Sequence, residues 1–324
     1  MKATAVAPSN IAFIKYWGKK DEILKLPENG SVSMNLNNLL TTTTIDFSET
    51  YKSDEVLFNG TRPKNVDRII NHLNLIRNLS RINLSAKVVT NNNFPTAVGI
   101  ASSASGFAAL TVACDAALNL NLSEKQLSIL ARQGSGSACR SIPSGFIEWL
   151  DGDTSETSYA VSLYPPDYWD IVDVVVIIDD NKKNTPSNTG QKSAQTSPFF
   201  PARLANTQNN IRKIKTYLAD KNFKAFGELI ETEALELHAV MLTSQPPLIY
   251  IAPQTLSLIK WVWKARKNGL PIYFTIDAGP NMHLICEKKN CDNVVNLLKE
   301  VNFIKQTIVN YPAKGTRTIS KHLF

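Results

Sequence analysis

Two stretches of small residues and two of charged residues are where this chain could do chemistry. Asn93-Phe-Pro-Thr-Ala-Val-Gly-Ile-Ala-Ser-Ser-Ala-Ser-Gly106 passes from turn residues Pro95 and Gly99 into a run of Ala and Ser. An Ala-rich apolar pattern at helical spacing follows, from Phe107 to about Leu118. Small residues let a backbone approach a ligand closely. A helix start adds unpaired N–H groups and a positive dipole end, which together suit an anion. The stretch reads as a phosphate loop that caps a helix. It is not the GxxxxGK[ST] loop, because no Lys precedes a Ser or Thr there. Taken alone, a small-residue turn before a buried helix would look the same.

The second small-residue loop is Gly134-Ser-Gly-Ser-Ala-Cys-Arg-Ser141. Its hydroxyls and N–H groups can donate to phosphate oxygens, and Arg140 can grip a carboxylate through two parallel hydrogen bonds. The first charged stretch, Ile14-Lys-Tyr-Trp-Gly-Lys-Lys-Asp21, puts Lys15, Lys19 and Lys20 around Tyr16 and Trp17. Solvated lysines on a turn are one reading. Two large aromatics are costly on a plain surface, however, and suit a half-buried anion pocket. The second, Asp277-Ala-Gly-Pro-Asn281, places a carboxylate at a strand end among residues that also suit a plain turn. Arg68, near a helix start, is either a surface cation or one aimed at phosphate. The polar stretch from Asp179 to Gly190 reads as a lid over a charged ligand or as a long surface loop.

These residues need elements to hold them. Lys2–Tyr16, Thr41–Phe47, Ala86–Thr90, Phe146–Trp149, Ser158–Tyr164 and Val172–Ile178 read as strands. Glu55–Gly60 reads as a short strand stopped by Asn-Gly, a hairpin signal. Helices are expected over Val66–Leu79, then from a capping box at Ser123/Gln126 to Gln133 with Gly134 as the stop, and over 201–219, 223–242 and 253–267. Pro271–Cys286 reads strand, tight turn, strand, and a helix near 291–300 follows. Pro165-Pro-Asp-Tyr168 is the best domain boundary, giving parts 1–168 and 169–324.

Composition narrows the class. The 324 residues are 43% apolar and 19% charged, which fits a globular chain with a sizeable core. No apolar run is long enough to span a membrane, and the first residues are too poor in apolar residues for a secretory signal. Cys114, Cys139, Cys286 and Cys291 show no CxxC spacing and suit a reducing cytoplasm. The four histidines are scattered, so no metal cluster of protein ligands is expected. The net charge of +7 favours anions. Because the charge is dispersed, a focused polyphosphate site is the better reading, and no nucleic-acid or membrane partner is expected.

With these motifs in hand, the chain resembles the mevalonate diphosphate decarboxylases of the GHMP kinase superfamily. The resemblance rests on Ile14–Lys19, Asn93–Gly106, Gly134–Arg140 and Asp277–Asn281, in that order, and spans most of the length. The first phosphate loop alone would indicate only the superfamily. The resemblance implies a two-domain α+β fold, with a ribosomal-S5-domain-2-like N-terminal part and a ferredoxin-like C-terminal part around a shared cleft. It implies ATP-dependent conversion of mevalonate 5-diphosphate to isopentenyl diphosphate, with release of ADP, phosphate and CO₂. Asp277 would be the acid/base residue at the C3 hydroxyl, Arg140 the clamp on the substrate carboxylate, Lys15 a lysine at the same centre and Asn10 its supporting neighbour. Tyr16, Trp17, Gly18, Lys19, Arg68, Ser135, Gly136, Ser137, Ala138 and Cys139 would hold the substrate with Arg140. Ser187 and Asn188 would reach it from the lid. Pro95, Gly99, Ala101, Ser102, Ser103 and Ser105 would hold ATP, with Mg²⁺ near Ser102 and Ser103. Family members are often homodimers, so a second copy is the macromolecular partner to expect.

Two departures from the family pattern stand out. Pro143 and Ser144 follow Arg140 where relatives often show an aromatic or Leu followed by Gly. Asn188 stands where some bacterial relatives place Arg and others Thr, so a direct charge contact from the lid to the diphosphate is not expected. The alternatives are a decarboxylase or 3-kinase acting on mevalonate 5-phosphate or mevalonate, and a non-catalytic basic binding protein. A plain 3-kinase would not need the Lys15/Asp277 pair, and a nucleic-acid binder would cluster its charge.

Overall fold

The computed structural model describes residues 1–94, 102–179 and 185–324. In chain order its first part holds β1 (Lys2–Ile14), β2 (Lys19–Asp21), β3 (Leu26–Pro27), β4 (Ser31–Ser48), β5 (Glu55–Phe58), α1 (Asp67–Ser80) and β6 (Ser85–Asn92). It continues with α2 (Ser102–Leu118), α3 (Glu124–Gly134), a 3-10 turn over Gly136–Ser141, β7 (Phe146–Trp149) and β8 (Ala160–Tyr164). The second part holds β9 (Ile171–Ile177), α4 (Ser187–Gly190), a 3-10 turn over Gln191–Thr196, α5 (Phe200–Ala219), α6 (Phe223–Thr243) and α7 (Pro253–Lys267). It ends with β10 (Tyr273–Thr275), β11 (Met282–Glu287), α8 (Cys291–Leu298), β12 (Gln306–Asn310) and β13 (Arg317–Ile319). This is the α+β class that the motif order implies.

β4 organises the first sheet. Its first residues, Ser31–Met34, pair with β7, while Thr41–Ser48 pair with β6, so one strand serves two neighbours. β1 runs antiparallel along it, and the register slips between Pro8 and Ser9. Pro8 has no N–H for the ladder, and the slip bends the pair there. The sheet order is β13-β1-β4-β6-β5, with β7 on β4 and β8 on β7. The second sheet runs β10-β11-β9-β12. β9 is buried along its whole length, which explains its unbroken apolar run around Asp173.

The helices pack where their apolar stripes dictate. Leu73 and Ile76 of α1, Phe107 and Leu110 of α2 and Leu130 of α3 cover one face of the first sheet, against Ile45, Phe47 and Val88. Ile211 and Ile214 of α5 with Phe226 and Ile230 of α6 fill the space between the sheets. There they meet Phe13 and Met34 on one side and Val175 and Ile285 on the other. The proposed boundary after Tyr168 falls in the link from β8 to β9, while this core spans both parts.

Two local expectations need correction. Gly134 is the last helical residue of α3 and lacks the positive φ of a glycine stop. A Cβ there would sit 2.3 Å from Phe107 Cδ1, so close packing of α3 on α2 is what requires glycine. Asn59 and Gly60 do turn the chain with φ of 46° and 77°, and Thr61 pairs back to Phe58. No second strand follows, however, and β5 pairs in parallel with β6. The Ser123/Gln126 capping box is present as expected.

Candidate active site

β1 ends at Ile14, and Lys15 leaves the ladder at a cleft of about 550 Å³ lined by both parts of the chain. Lys15 is 2% exposed, and its ammonium donates to Asp277 Oδ1 at 2.7 Å. Asp277 lies in the turn between β10 and β11, where the Gly279 amide donates to its carbonyl at 2.8 Å. Burial alone would raise the Asp277 carboxyl. The Lys15 charge and hydrogen bond, with His283 and Arg140 nearby, outweigh it and hold the group below the usual carboxylate range. Burial lowers the Lys15 ammonium, and Asp277 opposes that effect. His238 of α6 is also buried at this centre. Its pKa falls to about 4, through burial first and the Lys15 charge second, so it adds no positive charge at neutral pH.

Arg140 is 4% exposed and faces the same cleft. Nε and Nη2 donate to Asn10 Oδ1 at 3.2 and 3.0 Å, and Nη1 donates to Ser31 Oγ at 2.8 Å. Among the described residues, these hydrogen-bond partners are neutral. Asn10 is itself fixed, since its Nδ2 donates to Ser141 Oγ at 2.8 Å and to the Ser137 carbonyl at 3.2 Å. Among the described residues this buried guanidinium has no directly paired anion, since the nearby Asp277 carboxylate is bonded to Lys15. That is costly unless a ligand supplies one. Asn10 lies behind Arg140 and orients it.

Two of the three lysines of the aromatic turn face the cleft. Lys15 and Lys19 line the cleft, but Lys20 points outward to the exposed Asp153. The Tyr16 ring packs edge-on against Trp149 with centroids 4.7 Å apart. Among the described residues the buried Tyr16 hydroxyl and Trp17 Nε1 have no hydrogen-bond partner. Both residues line the cleft. Gly18 sits at φ +90 behind this wall, and a Cβ would lie 2.8 Å from Phe200 Cζ. Lys19 Nζ donates to both oxygens of Glu22 at 3.2 and 3.1 Å and to Asn188 Oδ1 at 2.8 Å. Asn188 therefore meets Lys19, where an Arg would repel it.

The two small-residue loops meet across the cleft. Ser103 Oγ and Ser135 Oγ lie 3.2 Å apart, so the start of α2 faces the end of α3. Ser102, Ser103, Ser135, Gly136, Ser137 and Ser187 all line the cleft. Pro95, Gly99 and Ala101 lie outside the described residues. Ser105 turns away and is fully buried, with its hydroxyl 2.6 Å from Thr41 Oγ1. Ala138 and Cys139 are also fully buried, and the Cys139 thiol donates to the Gly136 carbonyl at 3.0 Å. These two shape the turn that presents Arg140. Arg68 reaches the cleft over the Phe107 ring, with Nη2 on the Gly134 carbonyl at 3.0 Å.

Sequence reasoning missed several contributors. Lys25 lines the cleft because the β2–β3 ribbon folds it back beside Lys19. Leu237 of α6 forms an apolar wall, and Ser31 holds Arg140. Glu233, four residues before Leu237, is wholly buried on the same face of α6. A glutamate in a stripe otherwise made of Phe226, Ile230 and Leu237 was the available signal. Among the described residues no three His, Cys, Asp or Glu side chains could hold a metal, and α2 has no acidic residue in its first turn. The serine hydroxyls there fit a metal that arrives bound to phosphates. No helix of the described residues is long and apolar enough to cross a membrane.

Residues 7–160 match the diphosphomevalonate decarboxylase-like N-terminal domain, and residues 173–322 match the mevalonate 5-diphosphate decarboxylase C-terminal domain. The diphosphomevalonate decarboxylase of Candida albicans is 37% identical over 318 residues, covering 91% of this chain and 87% of that protein. The human enzyme is 36% identical, covering 86% of this chain and 75% of its own. The structure of MDDEF in complex with MVAPP, AMPPCP and magnesium superposes with a TM-score of 0.94, at 38% identity over 99% of both chains. The Staphylococcus aureus mevalonate diphosphate decarboxylase gives 0.93, at 39% identity over 98% of both. The fold is GHMP-kinase-like, and the chain belongs to the diphosphomevalonate decarboxylase family.

Proposed function

We propose that this chain converts mevalonate 5-diphosphate to isopentenyl diphosphate at the cleft between its two parts, with ATP as phosphoryl donor, in the cytoplasm. The observation that carries the reading is the pairing of two features in one cleft. One is the Lys15–Asp277 ion pair at 2.7 Å, and the other is the buried Arg140 with neutral partners. A substrate carrying a carboxylate and a neighbouring hydroxyl fits both. The carboxylate supplies a directly bonded anion for Arg140, and the hydroxyl meets the Asp277 carboxylate. The four cysteines are free and buried, which supports a reducing compartment.

Asp277, held low by Lys15, is a weak base. That suits phosphoryl transfer through a loose transition state, where the attacking oxygen needs orientation more than early deprotonation. Asp277 accepts the hydroxyl proton as the oxygen takes the phosphoryl group. The new phosphate leaves C3 with the C–O bonding pair and takes the proton from Asp277, so the positive charge that builds at C3 faces a carboxylate again. The substrate carboxylate leaves as CO₂, and its bonding electrons form the alkene. Arg140 holds that carboxylate in line without a covalent role. Lys19, Lys25 and Arg68 bind the diphosphate, with the Tyr16 hydroxyl and Trp17 Nε1 as neutral donors. Ser102 and Ser103 hold the nucleotide phosphates together with Mg²⁺, which when bound supplies charge neutralisation.

The test supplies mevalonate 5-diphosphate, mevalonate 5-phosphate and mevalonate in turn with Mg-ATP, and follows ADP, CO₂ and organic product together. Equal amounts of ADP and CO₂ from the diphosphate are expected. ADP without CO₂ would sink the decarboxylase reading, and faster turnover of the monophosphate would move the substrate assignment.

A further inference from the structure

Lys15 lies outside the sheet ladder, so strand pairing does not hold its backbone. Side chains do so instead. The Lys15 amide donates to Glu233 Oε2 at 3.3 Å. Its carbonyl accepts from Asn29 Nδ2 at 2.9 Å and from Arg203 Nη2 at 2.8 Å. Arg203 Nη2 also donates to Glu233 Oε2 at 3.1 Å, and Asn210 Nδ2 donates to Glu233 Oε1 at 2.8 Å. Arg203 and Asn210 sit on α5 and Glu233 on α6, in the second part of the chain, while Lys15 belongs to the first. Arg203 is 3% exposed and Glu233 is 0% exposed.

A buried ion pair of this kind is a poor device for stability, since desolvation of both charges offsets their attraction. Apolar residues could fill the same seam, as Ile230 and Leu237 do along α6. They could not meet both backbone polar groups of one residue while binding each other. The two charged groups do so, with Asn29 as a second donor to the Lys15 carbonyl.

We propose that Arg203 and Glu233, with Asn29 and Asn210, are positioning residues that fix the Lys15 backbone and so aim its ammonium at Asp277. Helices α5 and α6 thereby set the geometry of an ion pair whose cationic half comes from β1. The other charged or titratable groups at this centre are Arg140 from the turn after α3, His238 from α6 and His283 from β11. The proposal rests on the roles given to Lys15 and Asp277 above, and its test separates the two.

Three variants are compared with the parent: Arg203→Met/Glu233→Leu together, Asn29→Ala and Asp277→Asn. Each is measured for urea unfolding, kcat and KM for Mg-ATP, and the first two also by carbon-13 NMR titration of the Asp277 carboxyl. The double variant should unfold at a lower urea concentration than the parent, because the buried Lys15 amide and Asn210 Nδ2 lose their acceptor. Its kcat should fall by about tenfold or more, the loss of one to two hydrogen bonds' worth of alignment. KM for Mg-ATP should stay within about twofold, because among the described residues of the nucleotide loop Ser103 bonds to Ser135 and Ser105 to Thr41, away from this network. The Asp277 titration should move upward as Lys15 loses its aim. Asn29→Ala leaves every charge in place and should lower kcat by about three- to tenfold, with the titration moving the same way. If the double variant does not fold, Asn29→Ala decides. Parent-like kcat in either folded variant overturns the proposal, as does a lower kcat with an unmoved Asp277 titration. Normal turnover by Asp277→Asn would instead overturn the site reading itself.

Discussion

Replacing Lys15 by Met tests the centre of the site most directly. Methionine is also unbranched and keeps most of the stem volume, so packing around the buried side chain changes little. What is lost is the ammonium 2.7 Å from Asp277 Oδ1. At an effective dielectric of about 20, that contact is worth about 6 kcal/mol before desolvation is counted. Removing one partner of a buried pair costs about 3–5 kcal/mol net, because the remaining charge stays buried. Asp277 is 26% exposed to the cleft, so the lower end of that range applies. About 3 kcal/mol appearing in the chemical step is a loss of about 10² in kcat.

The assay follows ADP and CO₂ at saturating substrates, alongside a carbon-13 titration of the Asp277 carboxyl. In the parent that carboxyl is held below its usual range. Its proton is therefore taken up first by the unfolded chain as pH falls, and the pair's stabilisation is present above the unfolded carboxylate pKa and lost on acidification. In Lys15→Met, burial is left opposed only by His283 and Arg140, so the carboxyl titrates higher and this acid-sensitive contribution shrinks. A Lys15→Met enzyme with kcat within about threefold of the parent and an unmoved Asp277 titration would refute the reasoning.

Three further outcomes follow from particular contacts. Asn10→Ala removes the acceptor of two Arg140 N–H groups, about 1–3 kcal/mol of orientation. Steady-state kinetics should show kcat/KM for mevalonate 5-diphosphate falling by about 5- to 150-fold with KM for Mg-ATP unchanged. Arg68→Ala should raise KM for mevalonate 5-diphosphate by about 10- to 100-fold and leave kcat within a few-fold, the signature of a lost phosphate contact. An unchanged KM places Arg68 outside the substrate site. His72 and His238 both titrate at about 4, from burial first, against about 6.5 when unfolded. The unfolded chain binds the extra protons between these values, so stability falls as pH drops from about 6.5 toward 4, by about 2 kcal/mol per histidine at pH 5. Urea unfolding at pH 7.5 and 5 measures this, and His72→Gln should remove its share.

What was legible in the chain depended on whether a signal was local. α5, α6 and α7 lie within a residue or two of their expected bounds, because apolar spacing repeated over 15 to 21 residues is hard to mistake. The Ser123/Gln126 cap is likewise a contact three residues long. Gly134 was misread because its reason lies across the fold, in the Phe107 ring. Ser105 shares the small-residue run of Ser102 and Ser103, and only the helical turn decides that its hydroxyl faces Thr41. Lys20 and Lys19 are neighbours in sequence, yet strand alternation sends one to Asp153 and the other toward Glu22 and Asn188.

The departures after Arg140 show how a local oddity becomes part of the support. Pro143 presents its carbonyl to Asn35 Nδ2 at 2.7 Å, and Ser144 Oγ accepts from the Gly315 amide at 2.8 Å. A Cβ on Gly315 would lie 2.1 Å from the Ile142 carbonyl oxygen, so the chain's last stretch packs directly on the turn. The segment that carries Arg140 is thus held from behind by Asn10 on β1, by Asn35 on β4 and by the strap before β13. Lys15 is held in the same manner by α5 and α6. Neither side chain depends on its partner across the cleft for its backbone position. The ion pair joins residues 262 positions apart, and its Asp277 end is held by its own turn, where the Gly279 amide donates to the Asp277 carbonyl. Preorganisation of that kind keeps a carboxylate and two cations at fixed distances while a charged substrate enters, so binding does not have to assemble the site.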